Sequence, residues 1–520
     1  MKHFSKIAIA LFCVSVLLLQ SCKKETNGLF RLSATIEKYN HDNKVHIETD
    51  NVGSYACWDV GDQVTINGHP AVVGHEVDNN NDYYYIQSTD GYSFQDGGGH
   101  QEFAALYPTT LFLAGGGDYH GTTVVNLPQT QTYIGGSNGT QKIEAPMIAY
   151  MAAGVGTSLP DNDHTMQFKN VCALIKVNIT NTSSSQVGIK RIEIVNGDGH
   201  TFWGDYSANV SANDQSLVEP SDYADIASKI ITRKATLNVN GQTIGAGANK
   251  SFYIYVPAVA YSNLVLTVFT TDNKYRTYTG SVTGTSFLAN TIYSKSITYD
   301  GGADWKTISS LSGDVDGVFT VAATTIEGVT TYKKVKFAHG NLLSDGSFAT
   351  NQYDYKGYFG NQESVKDMFS LSNIPSNLPT GYSLLTSAEW EYLLTTASRG
   401  SIRWVPAMVN YIPGIILFPD GFSTPSGITI IGPNSLYTET TSNSFSIDQW
   451  NTLETAGCVF LPRINWTSRA SWSLSVQCYY WNKEVNNTRN AMSFGWAVNS
   501  QAPAPSKAYI RLVKELQIQQ

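Results

Sequence analysis

Short apolar runs that alternate with polar residues recur along most of this chain, and a period of two confines such segments to pleated sheet. Ile175, Val177 and Ile179 alternate with Lys176, Asn178 and Thr180. Ile192 and Ile194 alternate with Arg191 and Glu193, while Phe252, Ile254 and Val256 alternate with Ser251, Tyr253 and Tyr255. Each segment is expected to be a strand with one face buried and one face in solvent. The intervening stretches 78–82, 96–99, 115–118 and 135–139 are rich in the Gly, Asn and Asp that turns need. Charged residues make up only 15% of the chain, a balance that favours strands and turns over surface helices. The fold class is therefore mainly β, with antiparallel sandwiches as the expected arrangement over 29–299. At 520 residues the chain is longer than one hydrophobic core normally supports, so two or three domains are expected.

The first residues carry a different signal. Lys2 and Lys6 precede an apolar run, 7–19, that is too short to span a bilayer, and Leu19-Gln20-Ser21-Cys22 has the form of a bacterial lipobox. Residues 1–21 are expected to be a lipoprotein signal peptide and Cys22 the lipidated first residue of the mature protein, anchored in the outer membrane and exposed at the cell surface. Removing 1–21 takes two lysines and no acid, leaving 32 basic against 42 acidic side chains. That excess of acid argues against nucleic acid as a partner. Beyond Cys13 and Cys22 the cysteines are Cys57, Cys172, Cys458 and Cys478, with no C-x-x-C spacing, so either disulfides or buried free thiols fit. His69, His75, His100, His120, His164 and His200 lack metal-ligand spacing, and no metal or cofactor is expected.

Cys57-Trp58-Asp59-Val60-Gly61-Asp62-Gln63-Val64-Thr65-Ile66 and Phe103-Ala104-Ala105-Leu106-Tyr107-Pro108 are similar to segments in the first domain of Bacteroidetes fimbrillin-like proteins. Further segments follow in the family's order: Leu127-Pro128-Gln129-Thr130-Gln131, Ala145-Pro146-Met147-Ile148-Ala149, Phe168-Lys169-Asn170-Val171-Cys172, Tyr255-Val256-Pro257-Ala258 and Phe287-Leu288-Ala289-Asn290-Thr291. The resemblance implies two fimbrillin-like β-sandwich domains, over 22–160 and 161–300, in a surface lipoprotein associated with pili or anchoring.

The Gly- and Ser-containing stretch 301–317 reads as a linker, after which tryptophan and helix signals increase and a third domain, 318–520, begins. Thr386 and Glu389 stand three apart before Trp390 and Leu393, and Ser446 and Gln449 repeat the spacing before Trp450 and Leu453. Each pair predicts a capping box at a helix start, and Gly457 is placed to end the second helix in a left-handed conformation. Val335-Lys336-Phe337-Ala338-His339-Gly340-Asn341, Leu384-Leu385-Thr386-Ser387-Ala388-Glu389-Trp390, Gly457-Cys458-Val459-Phe460-Leu461-Pro462 and Tyr509-Ile510-Arg511-Leu512-Val513 resemble the C-type-lectin-like fold in its formylglycine-generating-enzyme variant. That implies an α+β domain. Oxidase chemistry in that variant needs a closely spaced cysteine pair, whereas Cys458 and Cys478 lie twenty apart, so no enzyme is expected. Trp481-Asn482-Lys483 puts a lysine where calcium-binding lectins carry an acid, which argues against a calcium-dependent sugar site.

The last sixty residues concentrate aromatic and Asn side chains. Trp466, Trp472, Tyr479, Tyr480, Asn482, Asn486, Asn487, Asn490, Phe494 and Trp496 are the candidate ligand-binding residues, with Trp481 expected in the core. Rigid aromatics supply contact area at small entropic cost and Asn adds adaptable hydrogen bonds, the mixture found in binding loops. The segment is similar to the variable region of lectin-like proteins diversified by retroelements. The function expected from these readings is a lipid-anchored adhesin, with a fimbrillin-like stalk and a head for a protein or glycan ligand. The alternative is a pilus anchor or tip subunit whose partners are other pilus subunits, processed after Arg31.

Overall fold

The computed structural model describes residues 32–36, 58, 60–78, 81–91, 102–112, 121–135, 141–151, 165–196, 200–211, 217–218, 234–308, 313–353, 369–394, 403–432, 443–462, 466–467, 474–475, 478–483, 491–494, 498–502 and 508–516. More than half of them are strand, and the mainly β class holds. Cys22, Arg31 and Cys57 lie outside the described residues.

The first unit is a sheet that closes on itself. Its seven strands run Leu32–Ile36, Thr165–Asn170, Met147–Met151, Phe103–Tyr107, Gln63–Ile66, His69–Asp78 and Asn81–Ser88 before returning to Leu32–Ile36. Closure removes both open edges of the sheet. Leu32–Ile36 makes the closing contacts, parallel to Thr165–Asn170 and antiparallel to Asn81–Ser88. Trp58 fills the interior, edge-on to Tyr107 at 5.2 Å and to Phe168 at 4.9 Å.

The second unit is a sandwich. A three-stranded sheet (Asn249–Pro257, Cys172–Asn181, Ile292–Tyr299) packs on a six-stranded one that includes Val187–Asn196, Lys234–Ile244, Ala260–Thr270 and Lys274–Ser286. Ile175, Val177, Ile179, Ile192, Ile194, Phe252, Ile254 and Val256, the apolar halves of the alternating segments, meet in its core. The opposite faces of these strands are only partly in solvent: Lys176, Tyr253 and Tyr255 are buried, and Asn178, Thr180, Arg191 and Ser251 half-buried. Leu174 and Tyr255 face a second cluster, shared with Ala104, Leu106 and Ile148 of the barrel wall. Glu193 is buried too.

The units interleave across the boundary expected at 160/161. Thr165–Asn170 belongs to the barrel, whereas Thr122–Leu127 pairs with Gly204–Asn209 and Thr130–Thr132 runs parallel to Lys234–Ile244 in the second unit. Two side chains complete this connection. Gln131 donates to the Tyr255 carbonyl at 2.8 Å and accepts from the Tyr255 amide at 3.1 Å, while Gln141 does the same for Tyr253 at 2.8 Å each way. The two amides act as a strand surrogate along the sheet edge at Asn249–Pro257, satisfying backbone groups that burial would otherwise orphan.

The stretch read as a linker is packed in part. Trp305 and Ile308 are buried, and Lys306–Thr307 pairs with Lys274 and Tyr275. Gly317 serves closeness, not flexibility: a Cβ there would lie 2.0 Å from the Gly457 carbonyl oxygen. In the third unit, Val329–Phe337 pairs with Phe319–Ile326 and with Val513–Glu515, so its first and last strands share one sheet. Both helices stand where their caps predict. At α1 (Ser387–Leu394) the Thr386 amide donates to Glu389 at 2.8 Å and the Glu389 amide to the Thr386 hydroxyl at 3.2 Å. At α2 (Ile447–Thr455) Ser446 and Gln449 form the reciprocal pair, and Gly457 has φ +85°.

Candidate functional site

The terminal aromatic segment is organised by short ladders. Trp466–Thr467 pairs with Leu474–Ser475, and Cys478–Trp481 pairs with Ala491–Phe494, which pairs in turn with Val498–Ala502. The sheet registers divide the candidate residues into two groups.

One group roots the ladder in the core. Tyr480 has no exposed surface; its hydroxyl donates to the Pro462 carbonyl at 3.1 Å and its ring lies 5.5 Å from Tyr509. Trp481 is 1% exposed and its indole donates to the Phe369 carbonyl at 2.8 Å. Asn482, also without exposed surface, donates to the Ser387 hydroxyl at 2.9 Å and accepts from the Met492 amide at 3.2 Å. The ligand role read for Tyr480 and Asn482 is corrected by these positions: a side chain sealed among protein partners presents no surface to a ligand. Alternation does not expose them because both faces of the Cys478–Trp481 strand are covered, Tyr480 by one apolar cluster and Trp481 by another. Tyr479 is half-buried against the second of these clusters.

The other group falls at the strand junctions. Trp472 lies in 468–473, which joins one strand pair; Asn486, Asn487 and Asn490 lie in 484–490, between Cys478–Trp481 and Ala491–Phe494; Trp496 lies in 495–497, before Val498–Ala502. These five are outside the described residues. Trp466 and Phe494 are on described strands, and nothing is described of their side chains.

The third unit also holds a buried polar network whose members no sequence pattern connects. His339 and Glu454 approach to 3.1 Å, Gln352 donates to Glu454 at 2.9 Å, and Gln352 accepts from the Phe460 amide at 2.8 Å. Arg511, 1% exposed, donates to the Ala338 carbonyl at 3.1 Å and to the Phe460 carbonyl at 2.5 Å. Burial lowers its pKa to about 10, with Tyr480 and Glu454 opposing that shift. His339 and Glu454 are 115 residues apart and Gln352 and Glu454 102, so no local spacing could announce them. The network ties Ala338, Cys458 and Phe460 together and is structural in character.

Cys172 and Cys458 are free and buried. Burial raises both thiols well above their ordinary range, Cys458 with help from Glu454, which keeps them protonated and poorly nucleophilic. Among the described residues no group of three or more His, Cys, Asp or Glu is placed to hold a metal ion. Among the described residues no helix is long and apolar enough to cross a membrane.

No family model matches the chain, and no curated protein matches it. Among solved structures, it is similar to a candidate cell adhesion protein of Bacteroides uniformis, at 14% identity and TM-score 0.31, over 53% of this chain and 94% of the other. A second candidate cell adhesion protein, of Bacteroides ovatus, is 15% identical with TM-score 0.29, covering 53% and 93%. A fimbrial protein of Bacteroides ovatus is 11% identical with TM-score 0.24, covering 60% of this chain and 58% of its own.

Proposed function

We propose that the protein is a non-enzymatic surface adhesin, lipidated at Cys22, that contacts a protein or glycan through the connecting segments of its terminal ladders. One observation carries the reading. Tyr480, Trp481 and Asn482 belong to the core, whereas Trp472, Trp496, Asn486, Asn487 and Asn490 fall at the junctions 468–473, 484–490 and 495–497 between the terminal strands. Binding residues carried between strands of a rigid scaffold can vary without disturbing the packing below. Trp472 and Trp496 supply stacking area, and Asn486, Asn487 and Asn490 supply hydrogen bonds.

The test is a glycan and host-protein array probed with the full chain and with Trp472→Ala and Trp496→Ala variants. Binding by the parent that both variants lose at unchanged thermal stability supports the reading. Binding that survives both substitutions places the ligand elsewhere.

A second reading, of a subunit that assembles, is favoured by one feature of the barrel. The strand that closes it, Leu32–Ile36, begins directly after Arg31. Cleavage there would detach the fold from the lipid and leave a polymerising chain that starts with the closing strand. Mass spectrometry of surface material separates the two: an acylated Cys22 terminus marks an anchored protein, and a terminus at Leu32 marks a processed subunit.

A further inference from the structure

We infer that the second and third units are locked into one body by a built joint, so that the terminal segment is held at a fixed angle to the sandwich. This goes beyond the adhesin reading and stands whether or not the terminal segment binds anything. Units of one chain move relative to each other by default unless the surface between them is large, apolar or specifically paired. Here it is both apolar and paired.

The apolar part joins Phe269, Tyr275 and Ile308 of the second unit and its strap to Val409, Ile412, Phe445, Ile447 and Trp450 of the third, in one buried cluster. The strap is the stretch 305–308. Trp305 packs edge-on to Tyr299 at 4.8 Å, and the Ile308 amide donates to the Asn273 carbonyl at 2.8 Å. Together with Lys306–Thr307 on the sheet edge, these contacts hold 305–308 against the sandwich.

Two polar clasps fix the register of that cluster. At the first, the hairpin turn of Trp404–Val409 and Ile412–Leu417 reaches the face of the six-stranded sheet. Its turn residues Asn410 and Tyr411 take φ +47° and +62°, the pair of left-handed residues that a tight hairpin turn requires. The Asn410 side chain donates to Glu193 at 3.1 Å. Glu193 also accepts from Arg191 at 2.8 Å and stands 3.3 Å from the Lys234 ammonium, and the Arg191 guanidinium lies 3.9 Å from the centre of the Phe269 ring. At the second clasp, Asp448 in the first turn of α2 accepts from the Tyr275 hydroxyl and from Lys306. The first clasp is buried and the second half-exposed at the rim; a buried charge with directional partners tolerates one arrangement, whereas apolar contacts alone would tolerate several. The six-stranded sheet therefore has a polar face because that face receives the third unit.

The experiment measures distances between spin labels on the full chain in detergent, with labels at Ser296→Cys and Thr330→Cys and the unsubstituted chain as labelling control. Both positions are exposed, one on each unit. The expected result is one narrow distance peak in the parent and loss of that peak in an Asn410→Gly, Asp448→Ala double variant. Glycine at 410 keeps the left-handed turn and removes only the amide clasp. Circular dichroism of the double variant, unchanged from the parent, shows that the units themselves remain folded. A broad distribution in the parent overturns the inference. So does a peak that stays narrow in a double variant that is folded, because the clasps would then not be what holds the joint. Should the double variant unfold, Asn410→Gly alone is read by the same criteria.

Discussion

The sandwich is gripped from two sides by different chemistry. Toward the barrel the contacts are apolar, Leu174, Tyr255, Leu106 and Ile148 in one cluster, and the adjoining sheet edge is closed by the neutral amides of Gln131 and Gln141 on the backbone of Tyr253 and Tyr255. Toward the third unit an apolar cluster is joined by charged groups: Asn410 donates to Glu193, which the sandwich itself pairs with Arg191 and Lys234, and Asp448 pairs with Lys306. Neutral amides hold at any pH, while a buried carboxylate holds only while it is ionised. The two sides should therefore fail under different conditions.

The largest effect is expected at Glu193. Glu193→Ala strands Arg191 and Lys234 in the joint, and breaking a buried pair from one side costs about 3–5 kcal/mol. Denaturant unfolding monitored by near-ultraviolet circular dichroism checks this, and a loss below about 1 kcal/mol would mean the carboxylate is not a centre of the joint. Next is Gln131→Ala, which leaves the amide and carbonyl of Tyr255 without their side-chain partner. It should cost about 1–3 kcal/mol.

The pH dependence sharpens the contrast. Burial alone would push the Glu193 carboxyl up, but the charges of Lys234 and Arg191 and hydrogen bonds from Arg191 and Asn410 hold it down at about 2. A folded-state value below the unfolded one means the folded state binds the proton less tightly, so stability falls as the proton goes on. The Glu193 contribution is complete above the ordinary value of 4.5 and drains away as pH drops toward about 2. The penalty of Glu193→Ala, measured against the parent, should shrink across that window. The penalty of Gln131→Ala should stay flat over the same range, and a parallel decline in both would dissolve the distinction between the two sides.

What the sequence could and could not say follows the same division between local and distant causes. Both capping boxes were legible because a hydroxyl and a carboxyl or amide three residues apart need only each other. The apolar halves of the strands were legible because a period of two is enough to sort them into a core. Their polar halves were misleading. Arg191 and Glu193 read as a solvent face, yet the group that covers them, Asn410, is 217 residues along from Glu193. The stretch 301–317 has a linker's composition, and the packing of its Trp305, Ile308 and Gly317 depends on where Tyr299, Asn273 and Gly457 happen to lie. At the candidate site, residue type marked the segment correctly as aromatic and Asn-rich. It could not tell that Tyr480 and Asn482 are buried, since that depends on the strand Cys478–Trp481 being covered on both faces.

The smallest predicted effect concerns a charge on the neutral side. Lys176 is 4% exposed on the barrel-facing side of Cys172–Asn181, with its ammonium 5.8 Å from the centre of the Tyr253 ring, and among the described residues no carboxylate pairs with it. Burial lowers its pKa from 10.5 to about 8. Because the folded state holds this proton less tightly than the unfolded state, the lysine weakens the fold at neutral pH and the penalty lifts as pH rises from about 8 to 10.5. Lys176→Met keeps the length of the side chain and removes the charge, so it should stabilise the protein at pH 7 by about 1 kcal/mol. Thermal unfolding of the two chains at a series of pH values tests this. The advantage of methionine should narrow through that alkaline window, and a gap independent of pH would assign it to packing and leave the barrel side neutral throughout.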